Sequence, residues 1–234
     1  MKSPLTFVLV HGAWPGGWCW RRVADLMRKD GHLVFTPTLT GFGERVHLTH
    51  PDLTLEDFAT DIVNVIAAEE LSDIILVGHS FGGNPVSVVA DRVPELLKQL
   101  VYLDTLLLKN GESGFSQLDS AIVAQRIELA EKTSGGLTIP PPSPEVFGVV
   151  DPVDAEWLRR RLTPLPLNCY QVPIGWNILW EMVSARLTLL ARTRFTSRPF
   201  EHMSGLRGKP IGNTWNWRPV MTPWSLAQTN WRRL

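Results

Sequence analysis

The chain has 234 residues, 44% of them hydrophobic, with 23 basic and 23 acidic side chains and therefore no formal net charge. That content exceeds what a disordered chain carries and suits one globular domain, and the charge balance gives no general hold on nucleic acid. No apolar run approaches the ~20 residues that span a bilayer, Met1-Lys2-Ser3 leaves no room for a signal peptide, and Cys19 and Cys169 have neither metal-ligand spacing nor the density of a disulfide scaffold; a soluble cytoplasmic protein is the default expectation.

Leu5–Val10 is a continuous apolar run, as a strand buried on both faces reads, and it ends in His11-Gly12. A helical period follows over Arg21–Met27, and a second strand is expected at His32–Pro37. Thr54 is placed to cap a helix, Glu56 and Asp57 complement its positive N-terminus, and Phe58, Ile62, Val65 and Ile66 form its apolar stripe. The run Ile74–Val77 reads as a third strand, a helix that accommodates Pro85 in its first turn comes next, and Gln99–Leu103 is a fourth strand ending at Asp104. This alternation implies an α/β fold, a mostly parallel sheet with helices on both faces and a ligand site beyond the carboxyl ends of its strands. Residues 105–172 break the rhythm with helical stretches and the prolines 140, 141, 142 and 144, and are read as a cap inserted after the strand that ends at Asp104.

Between the third strand and the helix stands Gly78-His79-Ser80-Phe81-Gly82-Gly83. A serine in a glycine-rich strand-to-helix turn is a nucleophile elbow: the turn lifts the hydroxyl above the sheet, and Gly78 and Gly82 keep side chains out of a close backbone approach. A serine hydroxyl is a weak nucleophile until a histidine accepts its proton and a carboxylate orients that histidine. Asp104 is either an ordinary strand-end turn residue or that orienting acid. His79 precedes the nucleophile and is expected to pack away from it. His11 is expected to hold the loop that presents Ala13.

Five separated motifs occur in one order: Phe7-Val8-Leu9-Val10-His11-Gly12-Ala13-Trp14, then Gly16-Gly17-Trp18, the stretch Thr36–Arg45, the elbow, and Leu100-Val101-Tyr102-Leu103-Asp104. Together they resemble the α/β-hydrolases, specifically bacterial relatives of the plant methylesterase and hydroxynitrile lyase branch, from about Phe7 to Gly175. The resemblance implies a single α/β-hydrolase domain over 1–234, with core 1–104, cap about 105–172 and an atypical segment 176–234. It implies Ser80 as nucleophile, the backbone amides of Phe81 and Ala13 as an oxyanion hole, small carboxylic or carbamate esters as substrates, and no metal or cofactor. Cyanohydrin cleavage, as in the lyase members, is the lesser enzymatic reading, because those members carry a hydroxyl residue where this chain has Gly12. A noncatalytic binding module is the reading from another class. Trp157, Leu162, Leu165 and Leu167 suggest an apolar substrate pocket, although such residues are more often plain core. A small-molecule ester is the expected partner, with neither nucleic acid nor membrane, and a homodimer is permitted.

The tail departs from the family, which ends with a strand and a Gly-His-Asp motif. Downstream of Ser80 the chain holds one histidine, His202, in a different context. From Trp176 onward there are nine basic residues against two acids and six of the ten tryptophans, and no Val/Ile-rich strand is evident. Met and Trp have single codons, so part of the underlying base sequence is fixed. With the first two bases dropped, Pro219-Val220-Met221-Thr222-Pro223-Trp224 permits Gly-His, forces Asp and then permits Ala-Met, and residues 214–234 permit LELAAGHDAMVTGPDQLAAL. The same shift over Trp176–Val183 permits EYPLGNG, both glycines forced. The expectation is a reading frame lost near Gly175. A divergent tail, whose unpaired sheet edge would be an aggregation liability, is the alternative.

Overall fold

The computed structural model describes residues 3–105 and 107–175 and the backbone of 187–190. The chain opens with β1 (Thr6–Val10), α1 (Arg21–Lys29), β2 (Leu33–Phe35), α2 (Leu55–Ala68), β3 (Ile74–His79), α3 (Gly83–Arg92) and β4 (Leu97–Leu103). After these come α4 (Ser120–Ser134), β5 (Thr138–Ile139), α5 (Pro152–Arg159), β6 (Leu165–Pro166), α6 (Asn168–Gln171) and β7 (Leu187–Leu190). Each expected strand and helix of the first half is present. β2 is shorter than His32–Pro37, and β4 begins two residues before Gln99.

The main sheet runs β2-β1-β3-β4-β7 and every pairing in it is parallel. The strands sort their side chains by the period of two that a pleated backbone imposes. Val8, Val10, Ile74, Leu76, Leu100 and Tyr102 bury into one core with Phe58, Ile62 and Ile66 of α2 and Val86, Val89 and Ala90 of α3. Leu9, Ile75, Val77, Val101 and Leu103 bury into the other with Val23, Ala24 and Met27 of α1. The continuous apolar runs are thus explained by helices on both faces. At the start of α2 the Asp57 carboxylate reaches back to the Thr54 backbone N–H and hydroxyl, at 2.8 and 2.9 Å, in the capping-box arrangement that fixes where the helix begins.

Besides the helical stretches expected over 105–172, β5 and β6 pair antiparallel in a separate two-stranded ribbon. One expectation needs correction. Beyond Gly175 a strand does form, β7, whose residues 187–190 pair with 100–103 of β4 and so cover the edge expected to lie open. A Leu-Thr-Leu-Leu run lacks the β-branched density of the inner strands, and pairing with β4 supplied what composition did not. Residue His202, the stretch 214–234 and the segment in which frame loss is expected lie outside the described residues.

Candidate active site

The strand order places the carboxyl ends of β1, β3 and β4 side by side, with the order reversing between β1 and β3, the place where open parallel sheets bind ligands. His79 is level with Leu103 across β3 and β4, so Ser80 and Asp104 leave neighbouring strands at the same height. Both turn immediately into the left-handed region, Ser80 at φ 51° and Asp104 at φ 49°. Non-glycine residues seldom occupy that region, and where they do the surroundings hold them there.

The glycines around Ser80 explain how the turn is held. A Cβ on Gly78 would fall 2.5 Å from Val86 Cγ2 and 2.7 Å from the Gly82 carbonyl oxygen, the strand-to-helix approach expected of an elbow. A Cβ on Gly82 would meet the His11 carbonyl oxygen at 2.4 Å, so this glycine lets the elbow close on the end of β1, a neighbour not expected from the motif. Gly83 faces Thr105, whose Cγ2 would stand 2.1 Å from an added Cβ. Thr105 also donates its hydroxyl to the Ser80 carbonyl at 2.5 Å, so the turn after β4 grips the turn after β3. Below, Ser87 donates to the Gly83 carbonyl at 2.7 Å and its oxygen lies 2.6 Å from the Tyr102 hydroxyl, which is left to donate to it.

Beside the elbow, the loop after β1 is tied down by His11. Its Nδ1 lies 2.8 Å from the Gly12 carbonyl and its Nε2 accepts the Leu39 backbone N–H at 3.0 Å, which fixes the neutral tautomer with the proton on Nδ1. Burial pulls the imidazole down to about 4, against a smaller upward pull from the Gly12 bond. His11 is therefore the structural residue expected from the sequence. His79 packs edge-on against Trp20, ring centroids 6.1 Å apart. Ala13 and Phe81, the expected oxyanion residues, are each 5% exposed and follow adjacent strand ends. Asp104 is half-buried, and loss of water pushes its carboxyl above the usual range.

Several contacts emerge here that the motifs did not announce. Tyr170 of α6 stacks on Phe81 at 5.3 Å, Phe115 leans on Tyr170 at 5.5 Å, and beneath them Phe81 meets Phe58 at 5.9 Å. Trp14, next to Ala13, has φ 72° and bonds to the insertion between β4 and β7. Of the four residues suggested for an apolar pocket, Leu165 and Leu167 are buried in the α2/α3 core, and Leu162 is partly buried against the opposite one. Trp157 lies edge-on to Trp18 at 5.0 Å with the Arg161 and Arg22 guanidinium groups over its ring. Among the described residues no His, Cys, Asp or Glu cluster could hold a metal, both cysteines are buried and unbridged, and no helix is long and apolar enough to cross a membrane.

The alpha/beta hydrolase family matches residues 7–227. A carbendazim hydrolyzing esterase from a Nocardioides species is 40% identical over 226 residues, 93% of this chain and 90% of that protein. Methylesterase 9 of Arabidopsis thaliana is 34% identical over 102 residues, 43% of this chain and 40% of that protein. Among solved structures, an extracellular alpha/beta-hydrolase from a Paenibacillus species, described as sharing structural and functional homology with tobacco salicylic acid binding protein 2, aligns with TM-score 0.66 and 28% identity over 80% of this chain and 76% of its own. The family match runs beyond Gly175, so the likeness is not confined to the first 175 residues.

Proposed function

The chain belongs to the α/β-hydrolase family, and on that footing we propose that it is a soluble cytoplasmic serine hydrolase of carboxylesterase type that cleaves small carboxylic or carbamate esters through an acyl-enzyme on Ser80. The observation that carries this reading is the left-handed Ser80 at the end of β3, level with Asp104 and packed against the end of β1 that bears Ala13. Ser80 Oγ attacks the carbonyl carbon, a base takes its proton, and the amides of Ala13 and Phe81 receive the negative charge that forms on the carbonyl oxygen. The base then protonates the departing alcohol, and water cleaves the acyl-enzyme. Asp104 is the candidate to orient the base. The Nocardioides relative, an esterase named for carbendazim, supports esters and carbamates as the substrate class.

The base is the open position, since His202 is the single histidine after Ser80 and does not sit in the family's motif. We infer that the family's histidine is encoded one frame away, across Val220-Met221-Thr222. A second reading, a hydrolase fold that binds without turning over, is favoured by that same missing histidine. Cyanohydrin cleavage is disfavoured by Gly12: a side chain there would begin 3.2 Å from Ser80 Cβ and His79 Nδ1, closer than a hydroxyl residue takes without a shift.

A fluorophosphonate probe separates these readings. Covalent labelling mapped to Ser80 and abolished by Ser80→Ala is the expected result, together with hydrolysis within a panel of methyl esters, methyl carbamates and short p-nitrophenyl esters. Ligand binding with no labelling, in both the written chain and one with the alternate frame restored, would overturn the hydrolase reading in favour of the binding module.

A further inference from the structure

The loop that bears Ala13 is held from an unexpected direction. Trp14 sits at φ 72°, a conformation strained for a bulky aromatic and kept only where contacts enforce it. Three groups enforce it, all from the insertion between β4 and β7. Its carbonyl accepts the Thr163 backbone N–H at 3.0 Å and the Thr163 hydroxyl at 3.2 Å. Its indole Nε1–H donates to the Ile139 carbonyl at 3.2 Å. Its ring meets Phe147 edge-on at 5.9 Å. Thr163 is fixed in turn, since its hydroxyl oxygen accepts the Gly43 backbone N–H at 2.9 Å. The strain at Trp14 is therefore offset by residues more than 120 positions away in the chain.

The other oxyanion residue is held from the same side. Phe81 is overlain by Tyr170, stacked at 5.3 Å with the planes 13° apart. Phe115 and the Arg126 guanidinium, both from the insertion, rest on Tyr170, each 5.5 Å from its ring centroid. Each amide expected to stabilise the oxyanion thus adjoins a side chain that the insertion immobilises.

We propose that Trp14 is a positioning residue for the oxyanion hole, through which the cap sets the direction of the Ala13 amide. The proposal rests on the hydrolase reading above. An amide aimed at a developing charge must be fixed before the charge appears, because a donor that has to reorient during the reaction stabilises it less. Relaxing Trp14 out of the left-handed region turns the peptide planes beside Ala13. The cap on this account completes the catalytic machinery as well as covering it.

Two variants test this: Thr163→Val, which removes the hydroxyl at nearly constant shape, and Trp14→Phe, which keeps a ring beside Phe147 and loses the indole donor. Thr163→Ser serves as the conservative control. Amide hydrogen exchange of the segment Gly12–Trp18, read by mass spectrometry, reports the clamp without any catalysis. Exchange about tenfold faster in both variants and unchanged in Thr163→Ser is expected, and unchanged exchange in the variants overturns the proposal. In the same samples kcat and the Ser80 phosphonylation rate are expected to fall about 10²-fold, the scale of losing one oxyanion donor, with KM within about twofold. Unchanged kcat with faster exchange leaves Trp14 merely structural and also overturns it. If neither the parent protein nor its frame-restored form labels, the hydrolase reading falls and the catalytic half of the proposal with it; the exchange result distinguishes that outcome from failure of the clamp.

Discussion

His11 couples stability to pH through two bonds that only the neutral ring makes together: Nδ1–H to the Gly12 carbonyl and the Leu39 N–H to Nε2. Protonation converts Nε2 from acceptor to donor, pitting it against the Leu39 N–H inside a fully buried site. The folded-state value of about 4 lies below the 6.5 of the free side chain, so the unfolded chain binds the proton first as pH falls. The stability that neutral His11 supplies is complete above pH 6.5, declines through that interval and is gone below about 4, roughly 3 kcal/mol in all. Urea unfolding at pH 7 and pH 4 is expected to show the parent losing about that much more than His11→Asn, in which the group no longer titrates. An NMR titration of the imidazole reads the same group directly, and a midpoint near 6.5 would contradict the buried assignment.

At the scale of elements, the elbow is a meeting of three backbones, and its two inner glycines answer to different neighbours. Gly82 and Gly83 both have ordinary helical φ, −61° and −62°, so alanine is conformationally acceptable at either and any cost comes from contact. At Gly83 the contact is the Thr105 side chain; at Gly82 it is the His11 backbone carbonyl, which cannot be trimmed. Gly83→Ala is expected to cost roughly 1–3 kcal/mol, with Thr105→Ala in the same chain returning about 1 kcal/mol or more of it as a favourable coupling. Gly82→Ala is expected to cost at least as much, to gain nothing from Thr105→Ala, and to slow Ser80 labelling by parting β3 from the Ala13 loop. Thermal unfolding of the three single and two double variants checks the pattern, and equal rescue at both glycines would refute it. These elements differ in how plainly the sequence announces them. The 3.6-residue stripe of α2, the apolar β3 and the glycines around Ser80 are local signals, readable because the period or the turn chemistry is written in adjacent residues. The roles of Trp14, Thr105 and Tyr170 depend on partners distant in sequence, and nothing in their immediate neighbours marks them. The ribbon of β5 and β6, two residues each and including Pro166, is too short for any period to register.

For the whole molecule, the proposed nucleophile Ser80, the proposed oxyanion residues Ala13 and Phe81 and the candidate acid Asp104 follow three adjacent strand ends, while the base that must complete them is expected from a tail whose written frame offers only His202. The strand β7 and the family match to residue 227 speak for a genuine tail; the family-like segments recovered at 176–183 and 214–234 by one common shift speak for a lost frame. Catalysis decides between them, because triad members act as a unit. A serine without its base retains only the ~10³–10⁴-fold advantage over water that binding and the oxyanion hole supply, against the ~10⁶ that the triad contributes. Two chains identical through Gly175, one continuing as written and one translated after dropping two bases, therefore separate the cases with p-nitrophenyl acetate as substrate. The restored chain is expected to exceed the written one by at least about 10³ in kcat/KM, and replacing its recovered histidine by alanine is expected to return it to the written level. Equal rates, with both chains labelled at Ser80, would place a working base in the written tail. His202→Ala would then be the substitution that abolishes them.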